Sequence, residues 1–591
     1  MIGIFKKVSI FKTYIRVYRH LDIYFKKRFL FLIVVILVTS VVDLFGLAAF
    51  IPAITGLTNP EVFREGGRLF FLRRFIPIVS LQNFQLTLFL LAWCFFVLRS
   101  GFIFFSNWIQ NKFVFDVNQQ LGSVLYSHYL NSDFEEFTGR SSTDILRELT
   151  SNTQQYSRFI IQNLLTLSSE LLVVVFIVIG ISLYDFSAFV SIMVTLVPAA
   201  FLFNLLLKRR MRFYGDQQNA LTTELFQQSN RGMFGYIDIK LRSKESSVLS
   251  EYNSVMKKLK KYNVITSVLS IMPSKVLELV TVSGLVIIFF YGVFIANDSD
   301  IVLPLITVYA LAGYRLIPTL SKAIPAFLML DQYNFLFEIF EAPLRKSKTS
   351  SMGAVDLPLN FTKSIKLKNL SFSYKNENIN VINHFNLEIR KGEVIGFVGG
   401  SGSGKTTLVN LISGFLIPNE GSVLIDEVPL KKENLKSWQN KISYVQQSPF
   451  IETGSLLKNI AFLEDSIDMK RVEAAIKGAS LQSLVKGKNP RDINIKEFGK
   501  NLSGGQKQRI LIARALYHNS DLIIFDEATS ALDTNTEDEI IETIENLKGT
   551  GVTILMIAHR HSTLKGCEKI YELNQGKIIK ELKFNELISR K

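Results

Sequence analysis

The chain has 591 residues, too many for one hydrophobic core, so several domains are expected. It is 48% hydrophobic with 48 phenylalanines and a positive mean hydropathy, and its apolar residues concentrate before about residue 335, which points to a membrane half joined to a soluble half. The net charge of +16 suits an anionic membrane surface better than nucleic acid, and two cysteines, Cys94 and Cys567, exclude a disulfide framework or a thiolate metal site.

Residues 1–28 carry eight Lys/Arg against the single acid Asp22, interleaved with Ile4, Phe5, Ile10, Tyr14, Ile15, Val17, Tyr18, Leu21 and Phe25 at roughly helical spacing. An amphipathic helix on the cytoplasmic face is expected there. The apolar run that follows is too long for a removable signal peptide and lacks a small-residue cleavage site, so it is expected to remain as an anchor. Six spans are expected, at 29–54, 85–109, 157–183, 186–208, 264–295 and 300–330, within a membrane domain of 29–335. Each is long enough, at ~1.5 Å per residue, to cross a hydrocarbon core of ~30 Å. A first outer loop at 55–84 holds Leu69–Ile76, apolar and basic, expected to lie on the outer surface. The other outer turns are short, at Tyr184-Asp185 and Asn297–Asp300. Inner extensions at about 110–156 and 209–263 carry the helices into the cytosol.

Charged residues inside spans are costly and face partners or a cavity. Asp43, Arg99, Lys275, Glu278, Arg315 and Lys322 are of this kind. Two readings stay open. They pair among themselves, as Lys275 and Glu278 one helical turn apart suggest, or Arg99, Lys275 and Arg315 line a cavity for an anionic substrate, since bases outnumber acids at mid-depth.

Residues 336–364, with Pro343 and Pro358 around a Lys/Ser/Thr cluster, read as a linker to a soluble domain of 365–591. Tyr374 ends a strand and is placed to stack on adenine. The run Gly399-Gly400-Ser401-Gly402-Ser403-Gly404-Lys405-Thr406-Thr407 matches the phosphate-loop pattern G-x-x-x-x-G-K-[ST], between a strand-like Val394–Val398 and a helix-like Leu408–Ile412. Its glycines turn N–H groups toward the α- and β-phosphates, Lys405 reaches the β- and γ-phosphates, and Thr406 is a ligand for Mg²⁺. Gln447, on a turn after a strand, is a second Mg²⁺ ligand. Ser503, Gly504, Gly505 and Gln506 open a helix and make another anion site. Asp521–Glu527 reads as a buried strand whose end offers Asp526 to Mg²⁺ and Glu527 to the attacking water. Asp533 follows, and His559 ends the next strand within reach of a γ-phosphate. Charge neutralisation, a metal and an oriented water are what phosphoryl transfer needs, so ATP cleavage is the expected reaction.

With these motifs in order, the chain resembles the ABC transporter superfamily in its exporter-type half-transporter arrangement. The motifs that carry the resemblance are Tyr374, Gly399–Thr406, Gln447, Leu502-Ser503-Gly504-Gly505-Gln506, Asp526-Glu527, Asp533 and His559. The resemblance implies an α-helical membrane domain of six transmembrane helices with long cytoplasmic extensions, fused to an α/β P-loop ABC ATPase domain. It implies a homodimer in which the signature at Ser503–Gln506 completes the partner subunit's ATP site, with ATP and Mg²⁺ bound and both sites hydrolysing. It also implies a location in the inner (plasma) membrane, with the N-terminus and the ATPase cytoplasmic, and coupling helices near Ser142–Asp144 and Gly232–Asp238. One departure is Ile493-Asn494-Ile495-Lys496, where exporters often carry Thr-Glu-Val-Gly. The segments Asp43–Pro52, Pro273–Glu278 and Tyr314–Pro318 look like those of bacterial lipid-linked oligosaccharide flippases. That likeness implies membrane lipids as partners and a polyprenyl-pyrophosphate glycan as substrate. Exporters of peptides, lipids or drugs, and an ATP-gated channel or regulator, remain as alternatives.

Overall fold

The computed structural model describes residues 9–48, 81–184, 186–291, 294, 299–350, 357–375, 379–527, 534–558 and 560–589. The chain divides into two compact units, one of Met1–Asn131 with Arg140–Ser351, the other of Ser132–Gly139 with Met352–Lys591.

The first unit is helical. Its main elements are α1 (Ser9–His20), α2 (Ile23–Ala48), α3 (Leu81–Leu130), α4 (Gln162–Tyr184), α5 (Phe186–Phe234), α6 (Glu245–Tyr291), α7 (Ser299–Gln332) and α8 (Phe335–Ser350). The N-terminal amphipathic pattern is helical but breaks at Leu21-Asp22, and its apolar face is buried through Val17 and Leu21. Helix α3 has 50 residues, α5 has 49 and α6 has 47. At ~1.5 Å per residue these run to roughly 70–75 Å, more than twice the hydrocarbon core. Among the described residues three helical runs, not the expected six, are long and apolar enough to cross a membrane: Leu86–Leu130, Ser142–Leu183 and Glu245–Phe290. The other three expected spans fall on α2, α5 and α7, and the apolar stretch of α2 continues into residues outside those described.

The run before α4 is not a uniform α-helix. Glu148–Asn152 and Tyr156–Ile161 are π-helical turns, and the widened ladder accompanies burial of Tyr156, Ser157, Ile160 and Ile161. Tyr156 meets Phe340 edge-on with ring centroids 5.2 Å apart. The stretch expected to be a linker therefore starts as a packed helix. Leu336, Phe337, Phe340 and Leu344 recur at helical spacing and are buried in the core of this unit.

Among its described residues the second unit holds three sheets. A four-stranded antiparallel sheet has the order β2-β1-β4-β5, formed by β1 (Ser364–Phe372), β2 (Ile382–Arg390), β4 (Glu420–Ile425) and β5 (Val428–Pro429). The central sheet has the order β12-β11-β3-β10-β9-β6, from β3 (Val394–Val398), β6 (Ile442–Val445), β9 (Leu522–Asp526), β10 (Thr553–Ile557), β11 (Lys569–Asn574) and β12 (Lys577–Leu582). All its pairings are parallel except β11 with β12. The short strands β7 (Gly454–Ser455) and β8 (Asn494–Ile495) pair with each other. The divergent segment Ile493–Lys496 is thus partly a ladder, with Lys496 N–H donating to Asn501 Oδ1 at 2.9 Å.

Strand β3 is buried at all five positions, β10 at all five, and β9 at all but its last. Continuous apolar runs of this kind belong to parallel strands covered on both faces. The register sets Ile557 beside both Phe397 and Asp526. The C-terminal ends of β3, β10 and β9 are therefore level, and ligands of open α/β sheets bind beyond such ends.

Candidate nucleotide site

The phosphate loop leaves β3 and turns into α9 (Lys405–Ile412). Gly399 has φ +154°, and a Cβ there would lie 2.3 Å from the Leu573 carbonyl oxygen. Gly404 caps α9 at φ +97°, with a Cβ position 3.0 Å from the Val381 oxygen. Only glycine fits both places, one for space and one for conformation as well. Lys405 is buried, and its ammonium donates to the carbonyls of Gly399 and Gly400 at 2.9 Å and to Ser403 Oγ at 3.3 Å. Burial holds it below the ordinary lysine value, against the pull of Glu527 and Asp526. Ser401 and Thr406 are exposed, whereas Thr407 is buried and bonds Tyr374 Oη at 3.1 Å. The Tyr374 ring stands edge-on to Phe372 at 5.1 Å.

Asp526 ends β9 and Glu527 follows it with φ +50°, a left-handed conformation uncommon for a non-glycine residue. Its N–H donates to Ile557 O at 2.9 Å, which fastens the turn to β10. Gln447 Nε2 donates to Glu527 Oε2 at 2.6 Å, and Tyr444 Oη donates to Asp526 Oδ2 at 2.8 Å. Burial pushes the Asp526 carboxyl above the usual carboxylate range while the Tyr444 hydroxyl draws it down. Lys405, Gln447 and the adjacent pair Asp526-Glu527, three places distant in sequence, are thereby gathered beyond the C-terminal ends of the central strands. Tyr444 is a site residue that the sequence reading missed. Its signal was a polar-tipped aromatic in Ile442–Val445, the strand that pairs with β9.

Ser503 caps α10 (Gly504–His518) through a reciprocal capping box. Its hydroxyl accepts from Gln506 N–H at 3.2 Å, and its own N–H donates to Gln506 Oε1 at 3.0 Å. Gly504 and Gly505 form the first turn, so the helix start is built without a β-carbon in the way. Asp533 and His559 lie outside the described residues. The segments flanking them are joined by Glu537, a buried carboxylate on the helix Thr534–Leu547. It accepts from Arg560 Nη1 at 3.0 Å, Ser562 Oγ at 2.7 Å and Thr563 Oγ1 at 2.8 Å. Burial pushes this carboxyl up, but the bonds from Ser562, Thr563 and Arg560 outweigh it and hold the group below the ordinary carboxylate value.

The segment Ser132–Gly139 belongs to this second unit although the chain on both sides of it belongs to the first. In its short helix Phe134–Thr138, Phe134 stacks on Phe415 with centroids 5.2 Å apart. Glu135 Oε1 accepts the Lys375 N–H at 2.7 Å, and its other oxygen lies 3.6 Å from Lys375 Nζ. The residues expected as a coupling segment, Ser142–Asp144, lie outside this stretch. Ser142 instead begins the helix Ser142–Arg147 of the first unit.

A family model described as ABC transporter matches residues 382–530, and one described as ABC transporter transmembrane region matches residues 29–312. The chain belongs to the ABC transporter superfamily. Among curated relatives, the ATP-dependent lipid A-core flippase of Cupriavidus metallidurans is 28% identical over 496 residues, 82% of each chain. The leukotoxin translocation ATP-binding protein LktB of a Pasteurella haemolytica-like species is 42% identical over 225 residues, which are 38% of this chain and 32% of that protein. The solved structure of a bacterial Atm1-family ABC exporter with ATP bound matches with a TM-score of 0.75, covering 96% of this chain and 97% of that one. At 21% identity the shared property is the exporter fold. This ABC transporter is a multi-pass membrane protein with a cytoplasmic domain that binds and hydrolyses ATP, coupled to a membrane transport module.

Each of the four cations expected inside the spans, Arg99, Lys275, Arg315 and Lys322, is ion-paired. Arg99 and Arg315 both reach Asp43, Lys275 Nζ lies 3.1 Å from Glu278 Oε2, and Lys322 lies 3.3 Å from Glu170. Pairing, the first of the two readings left open by the sequence, describes these side chains as they stand.

Proposed function

We propose that two copies of this chain form an exporter-type flippase that moves a polyprenyl-pyrophosphate glycan from the inner to the outer leaflet by alternating access. The observation that carries this reading is the meeting of Arg99 and Arg315 on one acid, Asp43, inside the membrane unit. Two guanidiniums against one carboxylate leave one formal positive charge, and the pyrophosphate is the part of such a lipid that most resists crossing hydrocarbon. Lys275, exposed at the surface of α6, is the third cation assigned to the same cavity. The relative named as a lipid A-core flippase supports a lipid-like, membrane-embedded substrate. Six spans complete the membrane unit, with α2, α5 and α7 supplying the three beyond those long and apolar by composition.

Two features support the homodimer. Ser503 and Gln506 are hydrogen-bonded to each other, which leaves the glycine N–H groups of their turn to a partner's phosphates. The inner tip around Gly232–Asp238 exposes Met233, Phe234, Tyr236 and Ile237, an apolar surface that the partner's ATPase domain would cover.

At each ATP site Lys405 and the loop N–H groups hold the phosphates, Tyr374 meets the adenine, and Asp533 joins the composite interface. Thr406, Gln447 and Asp526 offer hydroxyl, amide and carboxylate oxygens, a donor set that fits a hard cation such as Mg²⁺. The metal, when bound, neutralises charge on the β- and γ-phosphates. Glu527, oriented by Gln447, polarises the attacking water, and His559 contacts the γ-phosphate.

The test is ATP-dependent transfer of a polyprenyl-pyrophosphate sugar between leaflets by the purified chain in liposomes. Transfer with stimulated ATP hydrolysis is expected. Absence of both overturns the substrate reading.

A further inference from the structure

Asp43 stands near the end of α2, Arg99 in α3 and Arg315 in α7, so three helices of the membrane unit contribute one charge each. Arg99 donates from Nε to Asp43 Oδ1 at 2.9 Å, and its Nη2 donates to the same oxygen. Arg315 takes the opposite side, with Nη1 3.4 Å from Oδ2 and Nη2 3.1 Å from the Asp43 backbone oxygen. The side chains are shielded, with 21% of Asp43, 13% of Arg99 and 24% of Arg315 exposed. Two other acids of this unit, Glu170 and Glu278, are taken by Lys322 and Lys275.

The cluster is unequal in both charge and valence. Arg99 has a close two-donor fork on one oxygen, whereas Arg315 is at the long end of hydrogen-bond distance and leans on a backbone carbonyl. A carboxylate offers two oxygens and one charge to guanidiniums that each present five N–H groups. A pyrophosphate offers more oxygens and more charge, and so satisfies both guanidiniums where one carboxylate does not. Without any anion, two shielded guanidiniums would repel each other strongly at low dielectric.

We propose that Asp43 is an internal counter-ion that occupies Arg99 and Arg315 in place of the substrate's anionic headgroup, and that the headgroup binds by displacing it. This rests on the anionic-lipid reading above and adds a competitor within the same site. Asp43 keeps the arginines together between cycles, lowers their affinity for the headgroup, and recaptures them when the headgroup leaves. It is a positioning residue, acting on substrate through the two arginines.

The experiment measures binding of farnesyl pyrophosphate, and separately of inorganic pyrophosphate, to the full chain in lipid nanodiscs. Asp43→Asn removes the competitor's charge with little change of shape and is expected to tighten farnesyl pyrophosphate about tenfold, while slowing its release. Asp43→Glu keeps the charge and is expected to bind as the wild type does. Asp43→Ser, also neutral, carries the same expectation as the asparagine variant should that protein fail to assemble. A purely structural aspartate would weaken binding when neutralised, so the direction of the change discriminates. Inorganic pyrophosphate is expected to bind more weakly but with the same ratio between variants, because the competition is at the headgroup. Wild-type binding that is unchanged or weakened in the neutral variants, or a ratio confined to the farnesyl ester, overturns the counter-ion role and leaves the flippase reading standing. Failure of the wild type to bind either probe overturns both.

Discussion

Gln447 and Glu527, 80 residues apart, are joined by a 2.6 Å hydrogen bond from the amide of one to the carboxylate of the other. The bond holds Glu527 on a turn whose backbone lies in the left-handed region, so the acid's direction is set by two constraints at once. Glu527→Gln is expected to slow ATP hydrolysis by roughly 10²- to 10⁴-fold, the usual range for a general base, and to leave ATP bound. Phosphate release and retained nucleotide measure it. Hydrolysis at the wild-type rate would show that another group activates the water.

Gly399→Ala tests the loop itself. A Cβ at 2.3 Å from the Leu573 oxygen forces backbone apart between β3 and β11, and overpacking of this kind costs about 1–3 kcal/mol. A lower melting temperature is expected together with at least tenfold weaker binding of a fluorescent ATP analogue. Gly400→Ala is the control, because a Cβ there meets nothing within 4 Å. Equal stability of the two variants would mean that the contact with Leu573 is unimportant.

Glu537 predicts a pH dependence. Its carboxyl is held below the ordinary value in the folded chain, so its stabilising contribution is complete above the unfolded value of about 4.3 and is lost as pH falls through the depressed one. Glu537→Gln is therefore expected to be destabilised by roughly 2 kcal/mol at pH 7, the scale of charged hydrogen bonds lost in a buried place. The difference in melting temperature from wild type should shrink below about pH 4. A difference that does not vary with pH contradicts a role for the charge.

Phe134→Ala removes the ring stacked on Phe415, an aromatic pair worth about 1 kcal/mol beyond its buried area. Transport is expected to fall several-fold at a given rate of ATP hydrolysis, because Ser132–Gly139 is covalently continuous with membrane helices at both ends. Unchanged transport per ATP would remove this segment from coupling.

Much of the site was legible because its signals are local. The phosphate loop, its flanking strand and helix, and the pair Asp526-Glu527 lie within short windows where glycine, charge and apolar runs follow directly from backbone geometry. The capping box at Ser503 and Gln506 spans only one helical turn. The long helices were legible too, because apolar runs near twenty residues have few other uses. The helical state of 335–350 was partly hidden by Pro343, although Leu336, Phe337, Phe340 and Leu344 carried the period.

By itself the sequence determined which residues can touch phosphate and which stretches are apolar enough to sit in lipid, since both depend on neighbours a few positions away. Only the tertiary structure decided which groups those residues meet. Arg315 shares an acid 272 residues away with Arg99, Tyr444 reaches Asp526 across 82 residues, and Glu135 finds Lys375 across 240. Nothing in the spacing of such pairs records them, because they arise from strand register and helix packing. For the charged groups in the membrane unit the consequence is chemical. A surplus of bases leaves both pairing and a cavity open in the sequence, and the packed helices show two of those bases, Arg99 and Arg315, already held by Asp43.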